Sequence, residues 1–382
     1  MKKIIPAFNV SNNIPIFFAC NAQYLPVFSV ALQSLISHAN SSNNYDIWLL
    51  CADASEIDKI QLYKMVECSN NISLRFLDFK QFIPQQIQEK LYLSRYISIE
   101  TYYRIFIPKI FDCYDKFLWL DSDITIKEDV ANLYNINIGK KWVAMAPNIW
   151  TIYAANKGDI KPEGVDMLFK EYVEKFLGMC DVRHYCNAGV MIMNAKELRK
   201  NDFSTLCLQA LNRIKTPNYW DQDLINVVCE EHNYILPLEW NHVWYMQDYA
   251  FLKGNISDDL YNGYDNARHH PKIIHYAGSI KPWINPDKWL ADDFWEEARK
   301  SPFYGKIIVN NTIDKMGYFT KNKAPFNPDW LFIYQVARFK KLNNLRKKYK
   351  FLSKFHFLKK WQIYKKYADT LKLALKFVKR KI

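Results

Sequence analysis

Lys116-Phe117-Leu118-Trp119-Leu120-Asp121-Ser122-Asp123 is the stretch from which the fold can be read. Four large apolar residues in a row are the pattern of a strand buried on both faces, as in a parallel sheet covered by helices. Two carboxylates separated by one residue follow, at the strand end outside which open α/β sheets bind their ligands. Residues i and i+2 point the same way while the chain is extended and converge as it relaxes into a loop. Converging carboxylates repel each other unless a cation lies between them. A hard divalent ion such as Mn²⁺ or Mg²⁺, itself holding a diphosphate, meets that need. Alone the motif is weak, because acid pairs at strand ends are more often solvated loop residues.

Upstream, Pro15-Ile16-Phe17-Phe18-Ala19, Tyr45 to Leu50 and Ile72 to Phe76 read as three more strands. Leu25, Phe28, Leu32, Leu35, Ile36 and Ala39 recur at helical spacing between the first two. Ser55 with Asp58 opens a helix through about Cys68 before the third. This alternation predicts a doubly wound parallel sheet with right-handed crossovers. Residues 81–96 read as a loop, followed by a helix from Ser98 or Thr101 to Ile107. Downstream, Lys140 to Met145 reads as a strand. Ile149 to Met179 reads as a helical, aromatic insertion that either lines an acceptor site or packs locally.

Tyr185 to Asn194 is a strand pattern with Gly189 near its start, where glycine permits a bulge or a ligand's close approach to backbone. A helix covers Leu206 to Ile214, and Asp221-Gln222-Asp223 opens another to about Cys229. Acids in a first turn are favoured by the helix dipole, so stabilisation of that helix is a sufficient reading of both. Ile273-Ile274-His275 ends a further strand and meets a Gly278- and Lys281-containing loop. His275 is there either a third metal ligand beside a phosphate-binding lysine or a packed histidine. Residues 286–300 read as an amphipathic helix, followed by an irregular stretch to about Asp329.

The 382 residues predict a catalytic domain over 1–305, a linker over 306–335 and a basic tail over 336–382. From Arg338 to Ile382 there are 17 Lys/Arg against one acid, leaving 35 against 38 in the body. A basic tail on a near-neutral body weighs against a fold that reads nucleic acid throughout, despite the sequence pI of 9.1. Eight scattered cysteines without a C-x-x-C pair point to reduced thiols. Asn9, Ser11, Asn12 and Asn13 interrupt any signal-peptide core, and there is no 18-residue apolar span. In the tail, Leu342, Leu345, Tyr349 and Leu352, then Tyr364, Tyr367, Leu371, Ala374 and Val378, form apolar stripes flanked by Lys and Arg. That is the composition of an interfacial helix on an anionic membrane, or else of a solvated helix pair packing on the domain.

Six segments in order carry a family resemblance: Phe18 to Tyr24, Ser98 to Arg104, Phe117 to Asp123, Tyr185 to Val190, Trp220 to Asp223, and His275 to Trp283. Over roughly residues 14–305 the chain resembles glycosyltransferase family 8, closest to bacterial galactosyl- and glucosyltransferases that build lipopolysaccharide or lipooligosaccharide. The resemblance implies the GT-A fold, a Rossmann-like nucleotide-binding α/β domain, and retaining transfer of a hexose from UDP-galactose or UDP-glucose to a glycan or lipid-linked acceptor. It implies that Asp121, Asp123 and His275 hold Mn²⁺ or Mg²⁺ against the donor diphosphate, with Gly278 and Lys281 touching that diphosphate. Arg104, Asn187 and Asp221 resemble the family's donor-sugar contacts, and Gln222 the residue facing the anomeric carbon. Ala19 and Tyr24 resemble its nucleoside pocket, and Ser122 and Ala188 fall among its UDP-sugar contacts. One departure is that Asn21-Ala22 stands where the family usually carries an acid near the uracil. An amide both donates and accepts, so it can still pair with a uracil edge. A cytoplasmic enzyme, peripheral on the inner face of the cytoplasmic membrane, follows as the expected location. The rival readings are a non-catalytic sugar-nucleotide-binding protein and a nucleic-acid-binding protein with a basic tail.

Overall fold

A computed structural model describes residues 4–93, 98–244, 246 and 249–310 of the chain. Its main sheet has seven strands in the order β3-β2-β1-β4-β7-β6-β8. The strands are β1 (Asn13–Ala19), β2 (Asn44–Leu50), β3 (Ile72–Leu77), β4 (Phe117–Leu120), β6 (Val143–Pro147), β7 (Cys186–Met193) and β8 (Asn233–Ile235). A second sheet of three very short strands runs β5-β10-β9, with β5 at Ile124–Ile126, β9 at His242–Val243 and β10 at Ile273–His275.

The first four strands of the main sheet are parallel, and β4 is buried along its whole length. Alternation divides β4 between two cores. Leu118 and Leu120 join Ile16 and Phe18 on one side, while Trp119 and Phe117 join Phe17 on the other. Phe17 sets its ring edge-on against Phe111 at 4.6 Å and Phe117 at 4.9 Å. Each such buried side chain contributes about 1.5–3 kcal/mol. Beyond β4 the expectation of an all-parallel sheet fails. Strand β7 runs antiparallel to both β4 and β6, so the sheet is mixed. A buried antiparallel strand shows the same apolar run as a parallel one, which is why the pattern could not separate them.

Most boundaries follow the sequence. The helix Leu25–His38 starts with Pro26 in its first turn, and Ser55 caps Glu56–Val66 by accepting from the Asp58 N–H. Other boundaries shift. The strand expected from Lys140 begins at Val143, and the helix expected over 286–300 is confined to Ala291–Ala298. The loop assigned to 81–96 holds short turns at Phe79–Phe82 and Gln85–Gln88, and its residues 94–97 lie outside the described residues. A 3₁₀ turn, Ile99–Tyr102, leads into the helix Tyr103–Ile110, which continues past Pro108 instead of stopping at Ile107. The aromatic segment after Ile149 is helical only to Lys157. It is ended by Gly158 at φ +76°, and it resumes as the short turns Phe169–Glu171 and Tyr172–Phe176. Residues 304–310 are helical where an irregular stretch was expected. The expected linker beyond 310 and the basic tail lie outside the described residues. No helix among the described residues is long and apolar enough to cross a membrane.

Strand order reverses between β1 and β4, since the chain builds outward to β3 and then returns to the other side of β1. A crevice at such a switch point, outside the carboxyl ends of the strands, is where α/β sheets hold ligands. Ala19 to Tyr24 and Asp121 to Asp123 border it.

Candidate active site

Strand β4 ends at Leu120, and the chain that follows is tied down on both sides. The Asp121 N–H donates to the Gly189 carbonyl at 2.7 Å, and the Ser122 hydroxyl to the Ala19 carbonyl at 3.0 Å. Ser122 therefore spends its side chain joining β1 to the acidic turn. His275 arrives from the small sheet, where it pairs with Ile124 immediately after the acids. Its Nε2 lies 3.6 Å from Asp121 Oδ2 and 3.6 Å from Asp123 Oδ1, and one ligand atom from each residue falls within a 4.8 Å cluster. The three residues brought together are those the sequence nominated as metal ligands.

The remaining oxygen of each carboxylate is held by another donor. Asp121 Oδ1 accepts from Trp119 Nε1 at 2.9 Å and lies 3.4 Å from Arg104 Nη2. Asp123 Oδ2 is bonded by Lys281 Nζ, with the Tyr24 hydroxyl at 3.5 Å. Burial opposes ionisation of Asp123, yet Lys281 and His275 hold its carboxyl well below the usual range. The orientation of the His275 ring is set from behind. Gly189 N–H donates to Asn187 Oδ1 at 2.9 Å, so the Asn241 group facing that same oxygen at 2.9 Å is the NH₂. Asn241 Oδ1 then faces His275 Nδ1 at 2.9 Å, and this nitrogen must carry the proton. Nε2 is left facing the acids, the arrangement that orients a histidine ligand. Two carboxylate oxygens and an imidazole nitrogen form a donor set that a divalent metal ion can occupy.

Gly189 matters here through its missing side chain. A Cβ at this position would sit 2.0 Å from His275 Cε1, so the imidazole rests directly on the backbone. The expected alternatives at this glycine are a bulge or a ligand's close approach; the β6–β7 register shifts across this segment, and His275 is the group that lies against the backbone.

Residues 187–189 are the hub of the site. The Ala188 carbonyl accepts from Arg104 Nη1, and the Ala188 N–H donates to Gln222 Oε1 at 3.1 Å. Arg104 is 5% exposed, stacks 4.6 Å from the Trp119 ring, and pairs with Asp221 Oδ2 at 2.6 Å. Asp221 is thus the partner of a buried guanidinium, beyond any effect on its helix Trp220–Cys229. Burial raises its carboxyl, with Arg104 opposing. Asp223 does serve the helix start, accepting from the Tyr219 N–H at 2.9 Å, and burial pushes its carboxyl up to about 6. Trp220, at φ +49°, holds a backbone conformation unusual for a non-glycine residue directly before these acids.

The segment after His275 is clamped by aromatic donors. Trp244 Nε1 donates to the Ile280 carbonyl at 3.2 Å, and Trp295 Nε1 to the Pro282 carbonyl at 3.1 Å. Gly278 turns at φ +83°, and Lys281 Nζ, besides meeting Asp123, donates to the Tyr276 carbonyl at 2.7 Å. Tyr24 packs edge-on to Trp283 at 5.9 Å. Asn21 caps the turn Ala22–Tyr24, accepting from the Tyr24 N–H at 3.2 Å, which commits Oδ1 to the backbone. The acid missing at Asn21 has a neighbour in Asp53, whose Oδ1 accepts from the Ala22 N–H at 2.8 Å. Sequence reasoning did not single out Asn241 or Asp53. Asn241 sits in a 3₁₀ turn, Leu238–Asn241, with no periodic signature, and an exposed aspartate in a loop has none either.

Residues 15–286 match Glycosyl transferase family 8. The lipopolysaccharide 1,2-glucosyltransferase of Escherichia coli (strain K12) is 22% identical over 80% of both chains. General stress protein A of Bacillus subtilis (strain 168) is 25% identical over 51% of this chain, and the match spans 63% of that relative's length. Among solved structures, the WbbM bifunctional glycosyltransferase superposes with a TM-score of 0.70 at 28% identity, covering 80% of this chain and about half, 52%, of WbbM. The galactosyltransferase LgtC shares the fold at TM-score 0.62 and 24% identity, covering 77% of this chain and all of LgtC. The α/β domain is thus the GT-A fold that the resemblance implied. A match over 15–286, carrying every site segment within it, makes this chain a member of glycosyltransferase family 8.

Proposed function

We propose that this chain is a retaining, metal-dependent transferase that moves galactose or glucose from a UDP-sugar to a glycan or glycolipid acceptor, in lipopolysaccharide or related cell-surface synthesis. The observation that carries the reading is the convergence of Asp121 Oδ2, Asp123 Oδ1 and His275 Nε2 beside Lys281. Asp121, Asp123 and His275 would hold Mn²⁺ or Mg²⁺, which would supply Lewis acidity toward the departing diphosphate. Lys281 Nζ, with the turn at Gly278, meets negative charge as it develops on the leaving group. Ala19, Asn21 and Tyr24 border the nucleoside, and Arg104, Asn187 and Asp221 hold the donor sugar. Gln222 presents its amide oxygen to the anomeric centre. As an amide it is a poor nucleophile, and Asp223 is wholly buried with both oxygens already accepting hydrogen bonds. Front-face attack, in which the departing phosphate oxygen takes the acceptor proton, fits these groups better than a covalent intermediate. The names of the lipopolysaccharide glucosyltransferases among the relatives favour that acceptor class.

The proposed organisation is a catalytic domain over 1–305, with the segment 149–181 inserted in it, a linker over 306–335, and a basic tail. The tail's stripes and charge support attachment to the inner face of the cytoplasmic membrane, where a lipid-linked acceptor would lie. The deciding experiment is UDP release from UDP-glucose and UDP-galactose with Mn²⁺, with and without acceptor glycans. Release is expected with one donor and is expected to stop with a chelator. Release from neither donor under any acceptor would sink the reading.

A further inference from the structure

Gln222 is the end of a hydrogen-bond chain that begins at a wholly buried carboxylate, and this chain fixes the orientation of its amide. The Ala188 backbone N–H can only donate, so the atom it faces at 3.1 Å is Gln222 Oε1. Gln222 Nε2 therefore donates to the Tyr185 hydroxyl oxygen at 3.1 Å. Tyr185 can accept there because its own proton goes to Asp223 Oδ1 at 2.5 Å. The other Asp223 oxygen accepts from the Tyr172 hydroxyl and from the Tyr219 N–H. Tyr185 and Asp223 are both 0% exposed, so water does not compete for these bonds.

We propose that Tyr185 is a positioning residue for transfer: anchored by Asp223, it locks the Gln222 amide with its oxygen toward the reacting sugar. The proposal rests on the reading above that Gln222 meets the donor. An oxocarbenium-like centre gains positive charge, and a dipole already fixed with its negative end toward that charge stabilises it without reorganising. Without the Tyr185 hydroxyl, the amide keeps only the Ala188 N–H as an anchor, and its oxygen is held less rigidly. The benefit is realised as the charge develops, so it belongs to turnover more than to donor binding.

The test is Tyr185→Phe, which removes one oxygen, made in the wild type and in a Gln222→Ala background. In the wild type kcat is expected to fall roughly tenfold, with KM for the UDP-sugar and Mn²⁺-dependent UDP affinity within about twofold. In Gln222→Ala the same change is expected to cost nothing further, the signature of two residues acting as one unit. Asp223→Asn, which removes the acceptor of the Tyr185 proton, is expected to reproduce both results. Equal falls of kcat in the two backgrounds overturn the proposal, because Tyr185 then acts independently of Gln222. Loss of UDP binding in both Tyr185→Phe and Asp223→Asn also overturns it, making the cluster a folding element. If Gln222→Ala alone leaves kcat unchanged, the positioning role falls, while transfer that is lost in Asp123→Ala still supports the enzyme reading.

Discussion

At the scale of single residues, the site depends on one absent side chain and on one amide outside the ligand set. Gly189 lets His275 lie against the backbone, and Asn241 holds its Nδ1 so that Nε2 faces the acids. Gly189→Ala is expected to push the imidazole off the acids and abolish Mn²⁺ binding by calorimetry, although no ligand is altered. Asn241→Ala is expected to weaken Mn²⁺ about 10- to 100-fold, the usual effect of losing a group that orients a ligand. Asp123→Ala is expected to eliminate metal-dependent transfer while the thermal transition persists. Full activity in that variant would remove the metal-site reading.

Among the elements, the helix Trp220–Cys229 and strand β1 make opposite demands on stability. The helix brings Asp221 and Asp223 into a buried first turn. With burial raising the Asp223 carboxyl to about 6, well above the ordinary range of an aspartate, the folded state holds this proton over a range in which the unfolded chain has released it. Stability from this group therefore falls as pH rises from about 4 to about 6, by an amount on the order of 3 kcal/mol. Urea unfolding across that range should show a shallower fall in Asp223→Asn than in the wild type. An unchanged slope would mean that Asp223 is not the group responsible. Strand β1 pays no such penalty. Phe17 is a 0% exposed ring between Phe111 and Phe117, and Phe17→Ala is expected to cost about 3–5 kcal/mol in the same measurement.

Across the whole molecule, charge separates the body from the tail. The body carries 35 Lys/Arg against 38 Asp/Glu, while residues 338–382 carry 17 against one. Near an anionic leaflet each basic residue contributes about 1 kcal/mol, so a handful in contact with lipid gives useful affinity. Full-length protein is expected to pellet with anionic vesicles at low salt, and a chain ending at Gln335 to remain in the supernatant. If both remain in the supernatant, the tail has another role.

The sequence by itself determined the first four strands and the helix Leu25–His38, and it nominated Asp121, Asp123 and His275 as ligand types through the family resemblance, while their convergence is the fold's. Long apolar runs, helical spacing and acids at a strand end are local signals, present wherever the chain packs. Tertiary structure alone decided the antiparallel course of β7, the existence of β5 and β9, and the roles of Asn241, Tyr185 and Asp223 around the site. Strands of two or three residues, such as β9 and β5, are too short to show a period. The direction of a buried strand leaves no mark on its composition. A hydrogen bond such as His275 to Asn241 joins residues 34 apart in the chain, and only the packed fold brings them within reach.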